Sequence, residues 1–291
     1  MRKQLAKTVE NIMEVDEKVV LLLADIGVYS CKSIFEKFPN RVYNMGCCEQ
    51  SITNIASGLA LSGMIPIFHT IAPFISTKIL EELKVNFGYS NLGGNFISVG
   101  NSYDYDYLGT THYAPDDVSI LKTIPNMEIV LPSTSCEFDT LFNQSYNNGK
   151  PTYFRLAEGQ NDFSMLVEFG KASKLSVGND ALIIIVGNMI NKVYEATKDM
   201  DVTTLYYSTV EPFDYEILNK YKNKKIVLCE PYYSGALLYD IINNIDYEAK
   251  FKCIGVPHIY LDKYCTHEEQ NENLGLTVEN IKKEITDFIY E

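Results

Sequence analysis

FPNRVYNMGCCEQSITNIASGLALSGMIPIF, residues 38–68, carries two apolar spacings side by side. VYNM (42–45) and IPIFH (65–69) are short apolar runs with β-branched residues, the pattern of strands buried on both faces. Between them Ile52, Ile55, Ala56, Leu59 and Ala60 line one face of a helix that starts near Glu49 and stops at Gly63. Strand, helix and strand in that order belong to a parallel sheet covered by helices.

The same alternation extends in both directions. Strands are expected at 19–24, 42–45, 65–69, 95–100, 127–131 and 152–155, and again at 181–187, 202–207, 225–230 and 250–256, with a closing helix near 277–290. The stretch 156–180 is rich in Gly, Ser, Asn and charge and has no long periodic segment, which marks a boundary. The sequence thus predicts an α/β protein of two doubly wound domains, 1–165 and a smaller 166–291. One connection is dense in polar and aromatic groups: NSYDYDYLGTTHY (101–113), directly after the strand at 95–100. Loops at the carboxyl ends of parallel strands hold ligands in such folds.

Bulk properties narrow the function. With 291 residues, 46% apolar, 22% charged and 10 prolines, the chain is an ordinary globular protein. No apolar run of about 18 residues appears. The start, with Leu5, Val9, Ile12 and Met13 at helical spacing, lacks the features of a secretory signal, so a cytoplasmic address is expected. Seven cysteines form no CxxC pair and no Cys/His cluster, which argues against zinc and disulfide roles. A net charge of -13 disfavours nucleic acid and anionic membranes as partners.

Several residues stand out, each with a plain reading beside a functional one. Glu49 sits at a strand-to-helix turn with little water around it, where a carboxylate needs a proton or a hydrogen-bond donor. Taken alone, it is also an ordinary first-turn glutamate facing the helix dipole. Phe74, taken alone, reads as a core residue beside Ile71 and Ile75. His112 is one of four histidines and lies in a polar, glycine-bearing loop, where action is favoured over packing. His69 ends a strand and either faces a ligand or packs. Asp25, after VVLLLA, reads by itself as the start of an Asx turn.

The run from Phe38 to Phe68 resembles the part of transketolases and deoxyxylulose-phosphate synthases where a glycine, two small residues and a catalytic glutamate precede a small-residue helix. GTTHYAPDDVSILKTIPNMEIVLPS (109–133) is similar to their histidine loop and the helix and strand after it, and weaker similarity continues through 210–218 and 229–242. The resemblance implies thiamine diphosphate as cofactor, with Glu49 bonded to its aminopyrimidine, Phe74 stacked on that ring, and Ile71, His69 and Asp25 around it. It implies His112 as the group contacting substrate oxygen near the reacting carbonyl.

The departures matter as much. Where these families read a substrate hydroxyl with an aspartate, this chain has Leu108, which leaves Asp104 or Asp106 for that task. Where they bind a terminal phosphate with an arginine and a histidine, it has Glu158 and Gly100, with Arg155 as the nearby cation. A glutamate repels a phosphate dianion. The expected acceptor is therefore an aldehyde or ketone that is unphosphorylated or carries its anionic group elsewhere, as a nucleotide-linked sugar does.

No Gly-Asp-Gly motif with its later asparagine is present, so no metal site is expected in this chain. The resemblance then implies that an amino-terminal, diphosphate-binding transketolase subunit supplies Mg2+ (or Ca2+), in an α2β2-type assembly. Two alternatives stay open at this level: the β subunit of a 2-oxo-acid dehydrogenase, and a non-catalytic assembly subunit.

Overall fold

Alternate residues of each inner strand are buried on opposite faces, which is what a sheet needs when helices cover both sides. In the first strand Val19, Leu21 and Leu23 join one apolar cluster while Val20 and Leu22 join the other. The computed structural model describes residues 1–159, 161 and 165–290. Its first sheet contains β1 (Val19–Leu23), β2 (Val42–Asn44), β3 (Ile65–Ile71), β4 (Gly94–Val99), β5 (Glu128–Val130) and β6 (Pro151–Leu156). The second contains β7 (Ala172–Ser176), β8 (Leu182–Val186), β9 (Thr203–Tyr207), β11 (Lys225–Tyr233) and β12 (Lys250–Val256), while β10 (Thr209–Glu211) returns to the first.

The orders are β10-β5-β6-β4-β3-β1-β2 and β12-β11-β8-β9-β7. Every pairing is parallel except β10 on β5 and β7 on β9. The α/β class and the ten strands read from the sequence are present, with ends shifted by a few residues.

The two antiparallel strands are not foreseen by the sequence, for a physical reason. β7 is a partly exposed edge, ASKLS, without an apolar run, and it lies inside the stretch read as a boundary. β10 is three residues long. Within the boundary stretch, residues 160 and 162–164 lie outside the described residues. The helix Glu49–Leu61 also differs in detail: Ile52, Thr53 and Ala56 are buried, whereas Ile55 faces outward.

Parallel register brings the functional segments to one edge. Leu23 lies opposite Asn44 and His69, Ile71 opposite Val99, and Val99 opposite Leu156. Asp25, the segment from Ala72, the loop from Asn101 and Glu158 therefore all leave the carboxyl ends of neighbouring strands, where open α/β sheets place ligands. No helix among the described residues is long and apolar enough to cross a membrane.

Candidate active site

Glu49 opens its helix and is 1% exposed. Its carboxylate is ion-paired with Lys78, whose side chain is 44% exposed. The Lys78 ammonium also stands 5.1 Å from the centre of the Phe74 ring. Phe74, in the short helix Ala72–Ser76 after β3, meets His112 edge-on with ring centres 5.6 Å apart. The Thr111 hydroxyl lies 2.9 Å from His112 Nδ1, which leaves Nε2 without a described partner. Glu49, Lys78, Phe74 and His112, from three separate segments, thus form one continuous line of contacts.

In β3, His69 is wholly buried and its Nδ1 lies 2.9 Å from the Ile97 carbonyl oxygen. Burial pushes this imidazole down to about 4, so at neutral pH the ring is uncharged and Nδ1 donates to that carbonyl. Its Nε2 is then an acceptor, buried and without a partner among the described residues. Gly27 packs on the same ring at φ +76°, where a Cβ would come within 2.9 Å of His69 Cδ2. Asp25 is left-handed at φ 59° and exposed. It exchanges hydrogen bonds of 3.0 Å with the Asn44 side chain, through its own N–H and through Oδ1. These bonds tie the turn after β1 to the end of β2, 19 residues away, so they are a cross-strand brace and not an Asx turn. Ile71 is buried at the end of β3.

Gly100, at φ +75°, lies under the ring of Tyr105, which any Cβ there would overlap. The Tyr105 hydroxyl donates to Glu158 at 2.7 Å and accepts from Arg2 at 2.9 Å, and Arg2 is ion-paired with Glu158. Tyr105 in turn meets His112 edge-on, with ring centres 6.1 Å apart. The two positions read as lost phosphate ligands are therefore occupied by a Tyr105–Glu158–Arg2 cluster.

The remaining sequence candidates take other places. Asp104 accepts from the Glu158 N–H at 2.8 Å. Asp106 accepts from the His267 N–H at 2.8 Å, tying the loop to the second half of the chain. Arg155 is 1% exposed, pairs with Asp117 at 2.7 Å and donates to Ser102 Oγ at 2.8 Å. The structure brings Glu49, Phe74 and His112 together and leaves Arg155 in the interior, with its Nε and Nη2 used by protein partners.

Residues 1–162 match the family model "Transketolase, pyrimidine binding domain". This chain belongs to the transketolase family. Among the relatives of this transketolase-family chain is an uncharacterized 33.6 kDa protein in the fasciation locus of Rhodococcoides fascians, 30% identical over 288 residues that cover 97% of this chain and 92% of that one. One of the subunits of the apulose-4-phosphate transketolase of Phocaeicola vulgatus is 26% identical over 310 residues, covering 99% and 97%. A solved split-gene transketolase, an inactive tetramer of beta chains, shares the fold with a TM-score of 0.87 at 23% identity, covering 99% and 97%.

Sequence reasoning did not single out Lys78, Tyr105 or Arg2 in this transketolase-family chain. Lys78 carried one signal, as the lone cation of the segment IAPFISTK one helical turn past Phe74. Arg2 carried none, since it reaches Glu158 from 156 residues away.

Proposed function

We propose that this chain is the pyrimidine-binding and carboxy-terminal subunit of a two-chain, thiamine-diphosphate-dependent transferase, moving a two-carbon ketol unit from a ketose to a sugar aldehyde or ketone. The observation that carries this reading is the buried carboxylate of Glu49 at a helix start, linked through Lys78 to the aromatic face of Phe74 and through Phe74 to His112. These residues suit the aminopyrimidine of the cofactor: Glu49 as partner of a ring nitrogen, Phe74 as a face to stack on, and Ile71 and His69 behind them. The Phocaeicola relative is itself one subunit of a transketolase, and the near-complete coverage of both chains supports the two-chain form.

When bound, thiamine diphosphate supplies a nucleophilic carbon for carbonyl addition. In this reading the Glu49 carboxylate would share a proton with a ring nitrogen of the bound cofactor, in a setting where burial strengthens the bond. His112 hands a proton to or from the substrate oxygen at Nε2, with Nδ1 fixed by Thr111. Phe74 and Tyr105 wall the site against water.

Mg2+ or Ca2+ would come with the amino-terminal subunit, in an α2β2-type assembly. The division at 165/166 is proposed likewise, with β10 as a strand the second half lends to the first sheet. The Tyr105–Glu158–Arg2 cluster supports an acceptor without a phosphate at that end, such as a nucleotide-linked sugar. The test is turnover by the reconstituted pair. Glu49→Gln should lower kcat by at least a hundredfold with both chains still associated, and unchanged turnover refutes the catalytic reading. Efficient use of ribose 5-phosphate refutes the acceptor reading alone.

A further inference from the structure

A polar cavity, of about 350 Å3, lies where the loop after β4 and the turn after β6 meet the second half of the chain. Its wall includes Asn101, Asp104 and Glu158 from the first half, and Lys192 and His267 from the second. Lys192 projects from the helix Ile190–Thr197, and His267 opens the helix His267–Asn273.

The polar groups here are unevenly matched. The Lys192 ammonium donates to Asn271 Oδ1 at 2.6 Å, an oxygen that the Tyr103 hydroxyl already uses at 2.7 Å. Among the described residues no carboxylate pairs with it, and burial lowers this amine to about 8. A half-buried cation held only by a neutral amide is incompletely compensated. Asn101 is 3% exposed, lines the cavity, and its Oδ1 has no partner among the described residues. An unpaired buried acceptor calls for a donor.

The two acids in the wall are less repulsive than they look. Glu158 is neutralised by Arg2 and receives the Tyr105 hydroxyl. Asp104, 3.9 Å from His267 Nδ1, is pushed up to about 7 by burial, so a fraction of it is uncharged at neutral pH. What lacks a matching partner among the described residues is the Lys192 ammonium, which has no carboxylate, and the Asn101 Oδ1 acceptor.

We propose that this cavity binds a small hydroxylated anion, its carboxylate or phosphate group against Lys192 and His267 and a hydroxyl donating to Asn101 Oδ1. The volume suits a sugar acid or sugar phosphate, at the lower end of small-molecule sites. A cationic ligand would leave Lys192 unmatched and face it. The shared Glu158 joins the cavity to the Tyr105 and His112 contacts, so the anion is either the far end of a substrate or a separate effector.

Calorimetric titration of the full chain with D-gluconate, D-glucose 6-phosphate and D-glucose, at constant ionic strength, tests the site. At least one anion should bind saturably and at least tenfold tighter than glucose. Lys192→Met and Lys192→Gln should each weaken that binding tenfold or more, Asn101→Asp should weaken it through the added charge, and Lys283→Met on the open surface should leave it unchanged. The proposal is overturned if no anion saturates, if glucose binds equally well, or if the Lys192 variants bind as the wild type does. Should those variants fail to fold by circular dichroism, the Asn101→Asp result decides in their place, and wild-type affinity there overturns the site. With the partner chain and cofactor added, a raised KM for sugar substrate assigns the anion to the substrate's own tail, and a changed kcat alone assigns an effector; both keep the site. The binding arms need no ketol transfer, so failure of the proposed activity leaves them intact.

Discussion

Lys78→Met is the perturbation whose size the structure constrains best. It strips the cation from a carboxylate that is 1% exposed, while Lys78 itself is 44% exposed. Removing one partner of a fully buried pair costs about 3–5 kcal/mol, and exposed pairs contribute about 0–1 kcal/mol. This pair lies between those limits, and the helix start still gives Glu49 roughly 1 kcal/mol of support. The expected loss is about 2 kcal/mol, or a Tm lower by roughly 4–8 °C for a chain of this size. Urea unfolding followed by circular dichroism measures it, within a double-mutant cycle. In a Glu49→Gln background the same Lys78→Met change should cost less than about 0.5 kcal/mol, giving a coupling of about 1.5 kcal/mol. On the proposed function, Lys78→Met in the reconstituted complex should also bind thiamine diphosphate severalfold tighter, since no ion pair would have to be displaced for Glu49 to meet the cofactor. Equal losses in the two backgrounds would refute the reasoning, because Lys78 would then be acting through something other than the Glu49 charge.

Gly100→Ala should destabilise the chain by about 2–4 kcal/mol, because its φ of +75° is unfavourable for any side chain and the Tyr105 ring fills the space; calorimetric melting checks this, and Tyr105→Ala in the same chain should recover part of the loss. Asp104 has a folded value raised to about 7 by burial, above its ordinary 3.8, so its contribution is fully present below about pH 4 and is lost as pH rises through 7. Asp104→Asn should therefore gain stability relative to the wild type across that window, measured as the difference between paired urea midpoints from pH 4 to 8. Arg155→Met should cost about 3–5 kcal/mol by leaving Asp117 buried without its cation, and Asp117→Asn in the same chain should restore part of it.

Local spacing made the fold legible wherever a strand is buried on both faces, because burial forces a continuous apolar run. It failed at β7, a partly exposed edge without an apolar run, and at β10, whose three residues are too few to show a period. The same division holds around Glu49. The glutamate, Phe74 and His112 stand in recognisable local patterns, at a helix start, a strand exit and a glycine loop. Lys78 on Glu49, Tyr105 on Gly100 and Arg2 on Glu158 arise from tertiary approach alone. Asp104 and Asp106 were legible as loop acids but not as braces to distant segments, since their partners, Glu158 and His267, lie 54 and 161 residues away. Lys192 lies on an ordinary amphipathic helix, and nothing in its neighbours' spacing shows that it meets an amide oxygen instead of a carboxylate.

The three residues of β10 bear on how the chain is made. They cover the outer edge of β5 in antiparallel pairing, and Lys122 clasps Glu211 there while reaching Asp240 at 2.6 Å. A ribosome releases residue 130 long before residue 209, so throughout that interval the nascent first sheet carries an open, hydrogen-bonding rim. A fragment ending at 165 keeps that rim for good and is expected to clump during expression, whereas one extended past Glu211 is closed along that side. Where the gene is cut thus decides solubility for reasons that have nothing to do with the face that carries Glu49 and His112.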